Sequence, residues 1–136
     1  MERLQYGNYG GTQLVHLAPF AMPKPKADEV AVRVAAASIN PMDWKLRRGD
    51  MKMFTGWKFP RALGTDFAGT VEEVGSRVCD LKPGDPVLGT VSTKGSGAFA
   101  PRLITRRDLV VEKPHTWSFI EAASLPIAGV TAWLAL

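Results

Sequence analysis

Glycine and proline punctuate this chain so often that few segments are long enough for anything but a short strand. Thirteen glycines and ten prolines are spread over 136 residues, and the apolar runs between them are brief. Gly7-Asn8-Tyr9-Gly10-Gly11 is a turn cluster between two such runs. Pro19, Pro23 and Pro25 turn the next stretch into an extended connector. From Glu29 to Ala37 the pattern alternates, with Val30, Val32 and Val34 on one face, as a half-buried strand requires. Strand chemistry returns from Gly64 to Val91, with a turn at Lys82-Pro83-Gly84-Asp85, and again at 98–105 and 109–112. Short strands at this spacing predict a mostly β domain, a small barrel or sandwich.

Two places break the pattern. Asn40-Pro41-Met42-Asp43-Trp44-Lys45-Leu46 predicts a short helix that ends near Gly49: Asn40 caps, Pro41 suits the first turn and Asp43 favours the N-terminal dipole. The last nineteen residues also read as helix. Ser118 and Glu121 form a capping box, and Pro126 ends or restarts the helix. Residues 127–136 carry Thr131 as their only polar side chain, so this helix needs burial on every side. Without a Gly, Asn or basic residue to finish it, the chain is expected to be the front part of something longer.

Length allows one domain with its own core. A net charge of +4 permits an anionic partner without demanding one. The single cysteine, Cys79, excludes an internal disulfide and a thiolate zinc cluster. No apolar run approaches the roughly 20 residues that cross a bilayer, and the start resembles no leader peptide. The expected setting is reducing and cytoplasmic.

Isolated patterns are weak. Gly95-Ser96-Gly97-Ala98-Phe99-Ala100 has the spacing of a dinucleotide loop, but Pro101 and the strand-like run after it leave no crossover helix, so a turn is expected. His16, His115 and Cys79 lack ligand spacing. Between Trp44 and Arg61, six basic residues alternate with Trp44, Phe54, Trp57 and Phe59 against one acid, Asp50. Such a segment could hold single-stranded nucleic acid. The modest net charge and the lack of a recognised module favour a solvated loop whose aromatics line a pocket or plug the core.

Three ordered blocks are more specific: Ala36-Ala37-Ser38-Ile39-Asn40-Pro41-Met42-Asp43, residues 64–75 (GTDFAGTVEEVG) and Lys82-Pro83-Gly84-Asp85-Pro86-Val87. Gly97-Ala98-Phe99-Ala100, Lys113-Pro114 and residues 121–126 (EAASLP) follow in the same order. With these motifs the chain resembles the medium-chain dehydrogenase/reductase superfamily, in its zinc-independent, quinone oxidoreductase-like branch. The resemblance implies a GroES-like, partly open β-barrel over 1–117, with 118–136 as connector helices toward an NAD(P)-binding Rossmann domain absent from this sequence. Zinc enzymes of the superfamily carry cysteine where Asn40 stands and a His-Glu pair where Thr65-Asp66 stands. An amide and a hydroxyl are poor substitutes for those ligands, so no metal is expected.

The resemblance further implies hydride transfer from NADP(H) or NAD(H) to a small carbonyl, enone or quinone. Asn40 and Asp43 are its catalytic candidates, Asn40 and Thr131 its cofactor contacts, and Phe54, Trp57 and Asp66 its substrate pocket. Each has a plainer reading: Asn40 as a helix cap, Asp43 as a dipole partner, Thr131 bonded back to its own helix. The 136-residue chain alone is expected to hold no cofactor, to be inactive, and to form a homodimer through the C-terminal apolar helix. The alternative is a non-catalytic GroES-like binding or oligomerisation module. Neither nucleic acid nor membrane is an expected partner.

Overall fold

In the computed structural model, which describes residues 1–93 and 97–136, the alternating segment becomes the strand on which the main sheet is built. This strand, β3 (Glu29–Ser38), lies between β7 (Arg102–Arg106) and β5 (Asp66–Val74). The antiparallel sheet continues through β6 (Pro86–Thr90) to β8 (Val110–Glu112), giving the order β7-β3-β5-β6-β8. A second sheet pairs β1 (Glu2–Tyr6) with β2 (Val15–Pro19) and with the two-residue β4 (Arg61–Ala62). The two sheets are separate hydrogen-bonded units and do not close into one ring. The fold is mostly β with short helices, as the turn density predicts.

Period-two alternation sorts side chains to two cores. Val30, Val32, Phe67, Val71, Val87, Leu103 and Val110 meet inside, with Val34 packed against them. On the other face, Ala68 and Leu88 receive Ala122 and Ala123 of helix α3, with Ala36 and Phe119 beside them. Small side chains on both surfaces let the α3 backbone lie close to the sheet. Gly69 marks a similarly close approach between strands, since a Cβ there would sit 2.1 Å from the Arg33 carbonyl oxygen.

Helix α1 (Pro41–Arg48) begins at Asn40 and stops at Gly49, whose φ of 90° is the left-handed conformation that ends helices. Helix α2 (Lys52–Thr55), which the sequence reading leaves as loop, is a single turn. Ser118 caps α3 (Phe119–Ala123), accepting from Glu121 N–H at 3.2 Å while the Glu121 carboxylate accepts from Ser118 N–H at 2.8 Å. Pro126 restarts rather than ends the helical run, opening α4 (Pro126–Ala135). The strand expected over 98–105 is shorter: residues 98–101 bend, and the ladder starts at Arg102 because Pro101 has no N–H to donate. Gly95 and Ser96 of the glycine pattern lie outside the described residues. Among those described, no helix is long and apolar enough to cross a membrane.

Phe67 is fully buried in the larger core. Phe67→Ala should lower unfolding free energy by about 3–5 kcal/mol, read from urea denaturation; a loss below about 1 kcal/mol would place the core elsewhere.

Candidate functional site

Strand register brings three polar residues to one end of the main sheet. Ser38 closes β3, Asp66 opens β5 opposite it, and Thr90 closes β6 opposite Asp66. Two residues past Ser38, the chain turns into α1 at Asn40. The N-cap of that helix is therefore held against the first residue of β5. Asn40 Nδ2 donates to Asp66 Oδ2 at 3.0 Å. The same oxygen accepts from the N–H of Ile127 at 2.9 Å, in the first turn of α4. One fully buried carboxylate thus ties together the start of α1, the sheet and the start of α4.

A second carboxylate sits one helical turn away. Asp43 Oδ2 accepts from Asn40 N–H at 2.7 Å, and its Oδ1 accepts from the Thr65 hydroxyl at 3.1 Å. The plainer reading of Asn40 and Asp43 as helix-capping residues therefore holds. The Asn40 side chain is held from the sheet as well, since its Nδ2 donates to Asp66. Burial raises the Asp43 carboxyl above its ordinary value and the nearby Asp66 charge adds to this, while the bonds from Asn40 and Thr65 oppose it. Burial likewise raises Asp66, against the bonds from Ile127 and Asn40. Asp66 Oδ1 and Ser38 Oγ are buried without a hydrogen-bond partner among the described residues.

This set of donors does not fit zinc. Asn40 and Thr65 each direct a hydrogen at a carboxylate, whereas ligation needs converging lone pairs from thiolate, imidazole or carboxylate. Among the described residues no three His, Cys, Asp or Glu side chains group together as ligands.

The other candidates are dispersed. Thr131 is exposed on α4, one turn beyond Ile127, and lines an apolar groove of about 640 Å³ with Leu88, Val111, Val130 and Leu134. Trp57 lines a separate cleft of about 560 Å³ and packs edge-on against Tyr9, ring centres 5.6 Å apart. Phe54 is exposed and outside that cleft's lining. Asp66, fully buried, can influence a ligand only through Asn40 or Ile127. Sequence reasoning missed Tyr9, whose hydroxyl donates to the Gly56 carbonyl and bonds Thr55 Oγ1 at 2.9 Å. A tyrosine in a glycine turn gives no sign of reaching residues almost fifty positions away.

This combination, a partly open antiparallel β-domain whose site is built where two strands meet a capped helix, defines the substrate-side domain of medium-chain dehydrogenases/reductases. Residues 26–115 match the family model of the alcohol dehydrogenase GroES-like domain. The chain belongs to that family. It is 42% identical over 138 residues to the chloroplast envelope quinone oxidoreductase homolog of Arabidopsis thaliana, covering 100% of this chain and 42% of the relative. With the NADPH-dependent alkenal/one oxidoreductase of the same plant it shares 38% over 139 residues, 97% of this chain and 36% of the relative. The Escherichia coli quinone oxidoreductase solved with NADPH superposes with a TM-score of 0.90 at 28% identity, over 100% of this chain and 40% of that one.

Because Asp66 takes up a proton more readily when folded, its contribution to stability is complete below its ordinary pKa of 3.8 and is lost as pH rises through the raised folded value. The stability advantage of wild type over Asp66→Asn should therefore shrink as pH rises above about 4, measured by urea melts. An advantage that grows with pH would mean that the buried carboxylate is stabilised as the anion.

Proposed function

We propose that this chain is the substrate-side domain of a zinc-independent, NADPH-dependent oxidoreductase that reduces quinones, enones or related carbonyls by direct hydride transfer. The observation that carries the reading is the Asn40–Asp66–Ile127 clamp, which orients a donor-bearing amide at the edge of a domain whose relatives are named for this chemistry. The chain spans about 42% of the length of the first of those relatives. Residues 1–117 form the domain proper in this reading, and 118–136 are the connectors toward a cofactor domain.

When bound, the nicotinamide supplies the hydride. The residues here suit its ring end: Thr131 offers a hydroxyl beside an apolar wall, while the groove contains Asp108 and, among the described residues, no basic group for the phosphates. Asn40 is nearly buried, at 8% exposed, and its Nδ2 is directed at Asp66; the second N–H of that amide is the donor this reading assigns to the substrate. A substrate oxygen that gains negative charge is met by fixed N–H donors, which do not reorganise as the charge develops. Asp66 holds Asn40 in that position. Asp43 fixes its backbone and keeps Thr65 turned inward. Trp57 supports the substrate, with Phe54 at the outer margin. A reducing compartment such as the cytoplasm suits the exposed free thiol of Cys79.

The isolated 136-residue chain should not oxidise NADPH with any quinone or enone, because rate requires the donor held at near-attack geometry. Fused to the remaining length of the Arabidopsis quinone oxidoreductase homolog, it should turn over. In that fusion Asn40→Ala should lower kcat by about tenfold or more, followed by NADPH absorbance. Unchanged kcat would remove Asn40 from the mechanism, and a fusion that folds yet reduces none of these substrates would favour the non-catalytic binding module.

The outer face of α4 leaves Val130, Trp133 and Leu134 between 60% and 79% exposed. Each such side chain forgoes roughly 1.5 to 3 kcal/mol of burial, and contiguous apolar surface draws a partner. Standing alone, the chain buries this face against a second copy as a two-fold dimer. Sedimentation should show a dimer for the whole chain and a monomer for one ending at Leu125; two monomers would exclude the interface.

A further inference from the structure

The cleft lined by Trp57 is not a neutral hole. Arg3, Lys58 and Arg61 contribute to its lining, and no acidic side chain does among the described residues. Among the described residues Lys58 and Arg61 form no ion pair there either, although Asp50, the lone acid of this segment, pairs with Arg48. Arg61 is held rigidly. Its Nε donates to the Lys58 carbonyl at 3.0 Å, and its Nη2 donates to the carbonyls of Gly56, at 3.0 Å, and of Thr55. Its guanidinium also lies 5.6 Å from the ring centre of Tyr9 and 5.3 Å from that of Phe59. Backbone carbonyls and aromatic faces hold this cation without cancelling its charge.

Aromatic surface and fixed positive charge in one concavity select for a particular ligand. Trp57 and Phe59 supply flat apolar walls, and the volume of about 560 Å³ is that of a small-molecule site. A guanidinium prefers a planar or tetrahedral anion and stacks on aromatic planes, so both preferences can be met by one molecule. Ala62 and Thr93 line this cleft and also the narrow space beside it that reaches Asp43 and Thr65. The cleft and the polar site thus share a wall.

We infer that this cleft binds flat, conjugated ligands carrying a negative charge, with the ring system against Trp57 and Phe59 and the anionic group at Arg61 and Lys58. The inference rests on the proposed reading of Trp57 as part of a substrate pocket, and it narrows the substrate class to anionic quinones and aromatic enones. A neutral quinone would gain the stacking and leave the two cations to water.

Equilibrium dialysis of the 136-residue chain against two redox-stable probes, anthraquinone-2-sulfonate and neutral 2-(hydroxymethyl)anthraquinone, tests this. The sulfonate should bind about tenfold more tightly at low ionic strength, an advantage that added salt reduces. Lys58→Gln, at an exposed side chain, should cut the ratio of the two affinities severalfold. Arg61→Gln should bring that ratio to about one. Equal binding of the two probes would overturn charge selection and leave the oxidoreductase reading standing. A sulfonate advantage untouched by both substitutions would overturn this location. Failure of both probes to bind at all would overturn the cleft and, with it, the substrate-pocket reading of Trp57.

Discussion

A carboxylate buried at the end of a sheet must have its charge answered by nearby donors, and Asp66 obtains them from two distant parts of the chain. One is the Asn40 side chain, 26 residues earlier; the other is the Ile127 backbone, 61 residues later. Both α1 and α4 are thereby tied at their first turns to one shared oxygen atom. Ile127 N–H is one of the amides that a helix leaves unpaired at its start, so the bond satisfies a donor that α4 could not satisfy itself. The arrangement is costly, since burial pushes the Asp66 carboxyl toward its neutral form and its second oxygen has no partner among the described residues. Such a cost is characteristic of sites where orientation matters more than stability.

The sheet makes this possible by keeping its two faces chemically distinct. Branched and aromatic side chains fill the inner face, whereas alanines and Leu88 cover the face that meets α3. Close seating of α3 sets where the chain emerges at Leu125, and hence where the first turn of α4 can meet Asp66. A larger residue at Ala68 or Ala123 would lift α3 and lengthen a bond at the far end of the helix pair. Packing and site geometry are in this sense one problem.

In the proposed reading, absence of metal-type ligands and presence of an oriented amide belong together. Where a Lewis acid polarises a carbonyl by charge, a fixed amide does so by position, and the bond from Asn40 to Asp66 fixes that position. The basic and aromatic segment between α1 and β4 is read in the same terms. Lys52 and Arg61 lie against ring faces, and Arg61 also donates to carbonyl oxygens, an arrangement suited to a flat ligand more than to the loose, phosphate-tracking contact of a nucleic-acid surface.

Local chemistry was legible in the sequence. The alternation of Val30, Val32 and Val34, the Asn40-Pro41 start and Gly49 stop of α1, and the Ser118–Glu121 box depend on residues within a few positions of one another, and side-chain period and capping act at that range. Ordered motifs carried the family and, through it, the partly open β-domain. The short strand β4 and the single turn α2 were not legible, because two- and four-residue elements are held by their neighbours and not by a pattern of their own. The site was half legible. Asn40, Asp43 and Asp66 stood out as residue types in recognisable motifs, but their roles did not, since strand register alone decides that Asp66 faces Asn40 and is fully buried. Only the tertiary structure brought Tyr9 to Arg61 and Thr55, separated Phe54 from the cleft that Trp57 lines, and delivered the Ile127 amide to Asp66. Contacts made across dozens of residues are fixed by how sheets and helices stack, and no local sequence signal encodes that distance.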